Sequence, residues 1–253
     1  MNAITKSAVS GIASLLLLVG CSSSTTIENP NFDDDSAAES QGSSSTAEAS
    51  PSPSPTATAE ATADKPVQQD LSIVETNFWP SEDYDRWYFV AYIENPNEDF
   101  AWIFEGFEFE AFDADGVLLD SSSEYATILP SSTGVFYGYW FDIGNNIVTE
   151  MSVRGASNGT LLDSTPGYFE VESIEYSNGR FSSEVSGVLV SNFEEDQESV
   201  EVVVVIRDAN GTIVTAENGY VSRVPAGGKA RYEVSLFDFE ISDSMQIEVH
   251  PKL

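Results

Sequence analysis

The side chains able to do chemistry in this chain of 253 residues are few in kind: one cysteine, Cys21, one histidine, His250, and 42 Asp and Glu against 10 Lys and Arg. Nucleophilic catalysis of the triad kind needs a general base, and the sole histidine stands three residues before the last. Zinc needs clustered His and Cys, which one of each cannot supply. Many acids guarantee accidental pairs. Glu108 with Glu110, and Glu170 with Glu172, nevertheless alternate as the solvated face of a strand does, not as the acid and base of a glycosidase. No catalytic residue, metal or cofactor is expected.

Asp113-Ala114-Asp115-Gly116 looks like a fragment of a calcium loop, but an EF-hand requires further ligands at fixed spacing and a closing Glu, and none is in register. Glu98-Asp99 and Glu194-Glu195-Asp196 are the only other acidic candidates. A tight turn explains the first segment more simply: the Asp caps it, and the Gly supplies the positive φ that reverses a hairpin. The same turn recurs 95 residues later as Asp208-Ala209-Asn210-Gly211, each copy fed by an alternating apolar run, Phe109-Glu110-Ala111-Phe112 and Val204-Val205-Ile206-Arg207.

The elements that carry these turns are strands. From Leu71 onward, short apolar alternations are separated by turn residues every 8 to 12 positions with no 3.6-residue period. Strands are expected near 71–78, 86–94, 101–112, 117–127, 134–141 and 147–153. A second set is expected near 168–176, 180–191, 199–207, 212–223, 229–237 and 241–249. At the offset of 95, Leu129-Pro130 matches Val224-Pro225; Asn95 pairs with Asn192 once two residues are gapped, and Met151 and Val153 with Met245 and Ile247 at offset 94. The chain is therefore expected to be all-β, with two tandem antiparallel immunoglobulin-like sandwiches at 68–154 and 168–253, joined by a linker at 155–167 that holds Asn158-Gly159 and Pro166.

Ahead of them, Lys6 and the apolar run Ile12 to Val19 form a secretory signal over residues 1–20, too short to span a membrane. It closes on Leu18-Val19-Gly20-Cys21, which resembles the lipobox of bacterial lipoproteins. That resemblance implies cleavage before Cys21 and diacylation of its thiol, palmitate being a typical chain. It places the protein at the cell membrane, lipid-anchored on the extracytoplasmic face. Residues 21–67, rich in Ser, Thr, Pro and acid, read as a disordered tether with a reach of roughly 35–45 Å. Loss of the signal removes only Lys6, leaving 9 positive and 42 negative side chains, net −33, and no nucleic-acid partner is expected.

Phe109-Glu110-Ala111-Phe112-Asp113 resembles the motif of the FxLYD domain, a β-sandwich module of prokaryotic surface proteins, with Ala111 in the place of Leu and Phe112 in that of Tyr. Val204 to Asp208 keeps the pattern of sizes, and Gly187-Val188-Leu189-Val190-Ser191-Asn192 is similar to the family's strand end. The resemblance implies a fold and an extracytoplasmic setting, and it brings no catalytic residues.

One asymmetry points to function: Trp79, Trp87, Trp102 and Trp140 all lie in the first module. Carrying the inward residues of Ala230 to Leu236 back by 95 sends Val135, Tyr137, Tyr139 and Phe141 to the first core, and turns Phe136 and Trp140 outward. Alternation from Phe107, Phe109 and Ala111 likewise turns Trp102 and Phe104 outward; in the second copy the positions of Trp102, Phe104, Phe136 and Trp140 are taken by the polar Gln197, Ser199, Arg231 and Ser235. Tyr88 and Tyr92 can join this aromatic face. It is either a packing surface for the other module or the linker, or a binding face. The expected role is non-enzymatic, binding or structural, with a cell-envelope protein, peptide or glycan as partner. The alternative is an accessory module presenting a carbohydrate or peptide substrate to a cell-surface enzyme or transporter.

Overall fold

The computed structural model describes residues 66–253 apart from 82, 83, 142 and 165; the signal, the acylation site Cys21 and nearly all of the tether lie outside them. The described chain has strands and no helix. The first sandwich contains β1 (Ser72–Pro80), β2 (Arg86–Glu94), β3 (Phe100–Phe112), β4 (Leu118–Ile128), β5 (Thr133–Phe141), β6 (Glu150–Arg154) and the short β7 (Thr160–Leu161). The second contains β8 (Phe169–Asn178), β9 (Ser182–Ser191), β10 (Gln197–Arg207), β11 (Ile213–Val224), β12 (Lys229–Phe237) and β13 (Gln246–Lys252). Sheet order β1-β2-β5 against β4-β3-β6 repeats as β8-β9-β12 against β11-β10-β13, all pairs antiparallel. Each of the twelve expected strands is present, and the two copies share one immunoglobulin-like topology.

The repeated turns have the expected geometry. Asp113 Oδ1 accepts the amides of Asp115 and Val117, both at 2.9 Å, and Asp208 Oδ1 accepts those of Asn210 and Thr212, also at 2.9 Å. Gly116 and Gly211 stand at φ 75° and 85°, in the left-handed region that other residues enter only with strain. Residues 156–162 of the stretch read as a linker dock on the first sandwich: the Ala156 carbonyl accepts the Trp102 indole N–H, β7 pairs with Phe100 and Ala101, and Leu162 donates to the Asp99 carbonyl.

The repeat offset is not constant, and this reverses part of the sequence reading. It is 95 through β3 and the Asp-Gly turn, but one extra residue in β11, at Ser222-Arg223 against Thr127, makes it 96 from there on. Ile128 therefore matches Val224 and Leu129 matches Pro225. Ser131 matches Gly227, both left-handed, at φ 51° and 57°. Asn95 matches Ser191, since each amide takes the equivalent carbonyl, of Ser132 or of Gly228. Met151 and Val153 match Ile247 and Val249, opposite the same residues of the central strand.

A one-residue slip exchanges the faces of a strand. In β5 the inward residues are consequently Phe136, Gly138 and Trp140, equivalent to Tyr232, Val234 and Leu236, and the expected set of Val135, Tyr137, Tyr139 and Phe141 faces away from that core. In β3 a bulge between Trp102 and Glu105, with Phe104 at φ 51°, flips Trp102 inward. Ser199 makes the same bulge in β10 at φ 56°. Trp102, Phe136 and Trp140 are thus core residues, at most 1% exposed, and only Phe104 of the four expected outward rings is exposed, at 71%, stacked on Tyr125. Each indole N–H is satisfied internally, Trp102 on the Ala156 carbonyl at 2.8 Å and Trp140 on that of Phe109 at 2.9 Å. Glu110, expected on a solvated face, is also buried, and Arg154 bridges it to Glu108.

Candidate functional site

Two strands are apolar on both faces: Phe89 to Ile93 of β2 and Val202 to Ile206 of β10 are buried without interruption. An antiparallel strand of that kind needs cover on its second face. The two sandwiches supply it to each other, so that four sheets lie in layers. Val90, Tyr92, Val135 and Tyr137 pack on Val203, Val205, Ile213 and Ala216. Burial stabilises each larger side chain by about 1.5–3 kcal/mol, which makes this contact a second core rather than a loose apposition.

Charged groups fix it at two places. Arg207 of the second sandwich grips Glu75 of the first and also bonds Glu248 at 2.7 Å, and the Tyr92 hydroxyl donates to Glu248 at 2.6 Å. Hydrogen bonds from His250, Arg207 and Tyr92 lower the Glu248 pKa to about 2 against the effect of burial. At the second place, the buried Lys252 ammonium pairs with Glu124 at 2.5 Å and Glu201 at 3.0 Å and lies over the Phe136 ring. Burial pushes Glu124 up to about 7.

At one end of this contact the sandwiches part, leaving a cleft of about 580 Å³. One wall is the end of the β1-β2-β5 face. Trp79 stacks on Tyr88 and Tyr88 on Tyr137, with ring centroids 6.0 Å apart in both pairs. The Arg86 guanidinium sits 4.4 Å from the ring centre of Tyr84, 5.3 Å from Tyr139, 5.6 Å from Phe141 and 5.8 Å from Tyr88. Its Nε is buried and has no hydrogen-bond partner, the one such side-chain atom among the described residues. The opposite wall is Val214 to Glu217 of β11 and Leu236 to Phe239 at the end of β12. Burial raises the Glu217 pKa; the Tyr137 pKa is raised by burial first and then by the Glu217 charge. The arrangement offers flat rings, one cation and two carboxylates, Glu217 and Asp238, to a small polar guest.

Of the six expected aromatic site residues, the structure brings Tyr88 and Tyr92 to the contact between sandwiches, and Tyr88 alone also lines the cleft. Trp102, Phe136 and Trp140 are core, and Phe104 lies elsewhere on the surface. Sequence reasoning missed Trp79, Tyr84, Arg86 and Glu217. The unbroken apolar runs of β2 and β10 were the signal that could have found the contact, and hence the cleft at its end.

No protein-family model matches this sequence, and no curated protein matches it. Solved structures similar in part include a red sea bream transglutaminase, 10% identical over 73% of this chain and 29% of that one, with a TM-score of 0.23. A β-glucuronidase of glycoside hydrolase family 2 is 12% identical over 62% of this chain and 21% of that one, with a TM-score of 0.20. This chain spans less than a third of either.

Proposed function

We propose that this chain is a lipid-anchored protein of the extracytoplasmic membrane face, built of tandem FxLYD-like sandwiches, that binds a ligand without transforming it in the cleft between them. The observation that carries the binding role is the Arg86 Nε, a buried donor without a partner among rings that are themselves part exposed, Tyr84 at 61%. An unsatisfied buried donor costs about 1–3 kcal/mol, which a guest accepting its hydrogen bond would recover. Leu18-Val19-Gly20-Cys21 supports the anchor, and the acidic tether supports display away from the membrane. The same cleft would serve an accessory module that presents a substrate to a neighbouring enzyme or transporter.

Cys21→Ser tests the anchor: the variant should move to the soluble fraction, and its continued retention in the membrane overturns that part. Acrylamide quenching tests the cleft, because Trp79 is the tryptophan that lines it. A bacterial envelope extract should shield Trp79 in the native chain and not in Tyr84→Ala. Equal quenching of the two in the presence of extract overturns the binding role.

A further inference from the structure

We infer that the cleft takes a neutral oligosaccharide; this rests on reading the cleft as a ligand site and names the ligand's class. Three features of the walls decide between classes. A cationic guest, such as a lysine or arginine side chain, would seek the ring faces, but Arg86 already occupies the position among Tyr84, Tyr88, Tyr139 and Phe141 that such a cation would take. An anionic guest would meet Arg86 but also Glu217 and Asp238 on the facing wall, and would approach a chain with 42 acids and 10 basic residues against its field. An apolar guest would leave the buried Arg86 Nε without an acceptor.

A neutral sugar meets all three conditions. Its C–H face would lie on Trp79 and on the side of the exposed Tyr84 ring turned away from Arg86. Its hydroxyls present both donors, for Glu217 and Asp238, and acceptors, for Arg86. A volume of about 580 Å³ is within the ~300–1,000 Å³ of small-molecule sites, which suits a short run of sugar rings rather than a single one.

The test is calorimetric titration of the full chain in mild detergent with maltohexaose, cellohexaose and the hexamer of N-acetylglucosamine, alongside hexalysine and polygalacturonate. At least one neutral hexasaccharide should bind. Its affinity should fall tenfold or more in both Tyr84→Ala and Glu217→Gln while their melting temperatures stay within a few degrees of the native chain. Glu217→Gln keeps the size of the side chain, and Tyr84 is largely outside the core. Binding of hexalysine or polygalacturonate alone, lost in the same variants, overturns the neutral-sugar assignment and leaves the cleft as the ligand site. Sugar binding that both variants retain overturns the cleft itself. Failure of all three neutral hexasaccharides to bind also overturns the inference.

Discussion

Arg207 and Glu75, 132 residues apart and in different sandwiches, form a two-pronged ion pair with N–O distances of 2.8 and 2.7 Å. The guanidinium side is 11% exposed and the carboxylate side 40%, so the pair is only partly screened by water. Arg207 also carries Glu248, which in turn holds Tyr92. One side chain of β10 thereby ties β1, β2 and β13 together.

Replacing Arg207 with Ala should therefore loosen the contact between the sandwiches more than either sandwich. Two half-exposed carboxylates lose their partner, at a cost of about 1–3 kcal/mol. Guanidinium unfolding should broaden or split into two transitions, and a single transition with an unchanged midpoint would count against the pair as a fastener.

The apolar part of the contact is tested by removal. A chain ending after Asp163 keeps β1 to β7 but uncovers Val90, Tyr92, Val135 and Tyr137. It should melt below the first transition of the full chain and bind a hydrophobic dye. If it melts unchanged and stays dye-free, the contact contributes nothing to the first sandwich.

Glu124 gives the chain a pH dependence of known sign. Its folded pKa is raised to about 7 from 4.5, with burial as the main cause, so the folded state holds this proton more tightly than the unfolded state does. The associated stability is complete below about pH 4.5 and is lost as pH rises through 7. Denaturant midpoints should fall between pH 5 and 8, by about 2 kcal/mol in free energy. Glu124→Gln should flatten that slope. Glu248 acts in the opposite sense and far from this window: with its pKa lowered to about 2, its contribution is present above about pH 4.5 and lost only as pH falls through 2. A slope in Glu124→Gln as steep as in the native chain would assign it to other groups.

The faces of β3 and β5 are tested by truncating one ring from each side. Trp140→Ala opens a cavity against Phe78 and Phe89 and should cost about 3–5 kcal/mol. Phe104→Ala removes an exposed ring and should stay within about 0.5 kcal/mol. Thermal melts showing the reverse order would restore the outward tryptophans.

By itself the sequence determined what depends on neighbours in the chain. Alternation and turn residues located all twelve long strands, and the Asp-Ala-Asx-Gly turns fold through contacts of Asp113 and Asp208 with amides two and four residues on. The recurrence of that turn was enough to indicate two copies of one sandwich. Which rings face which core was decided only in three dimensions. Strand side chains alternate with period two, so the single residue added in β11 and the bulge at Phe104 each inverted an assignment that counting alone had made. The cleft belongs wholly to tertiary structure: Arg86 and Glu217 are distant in sequence, and they face one another because β2 and β10, apolar on both sides, had no other way to leave water than to cover each other's sheets.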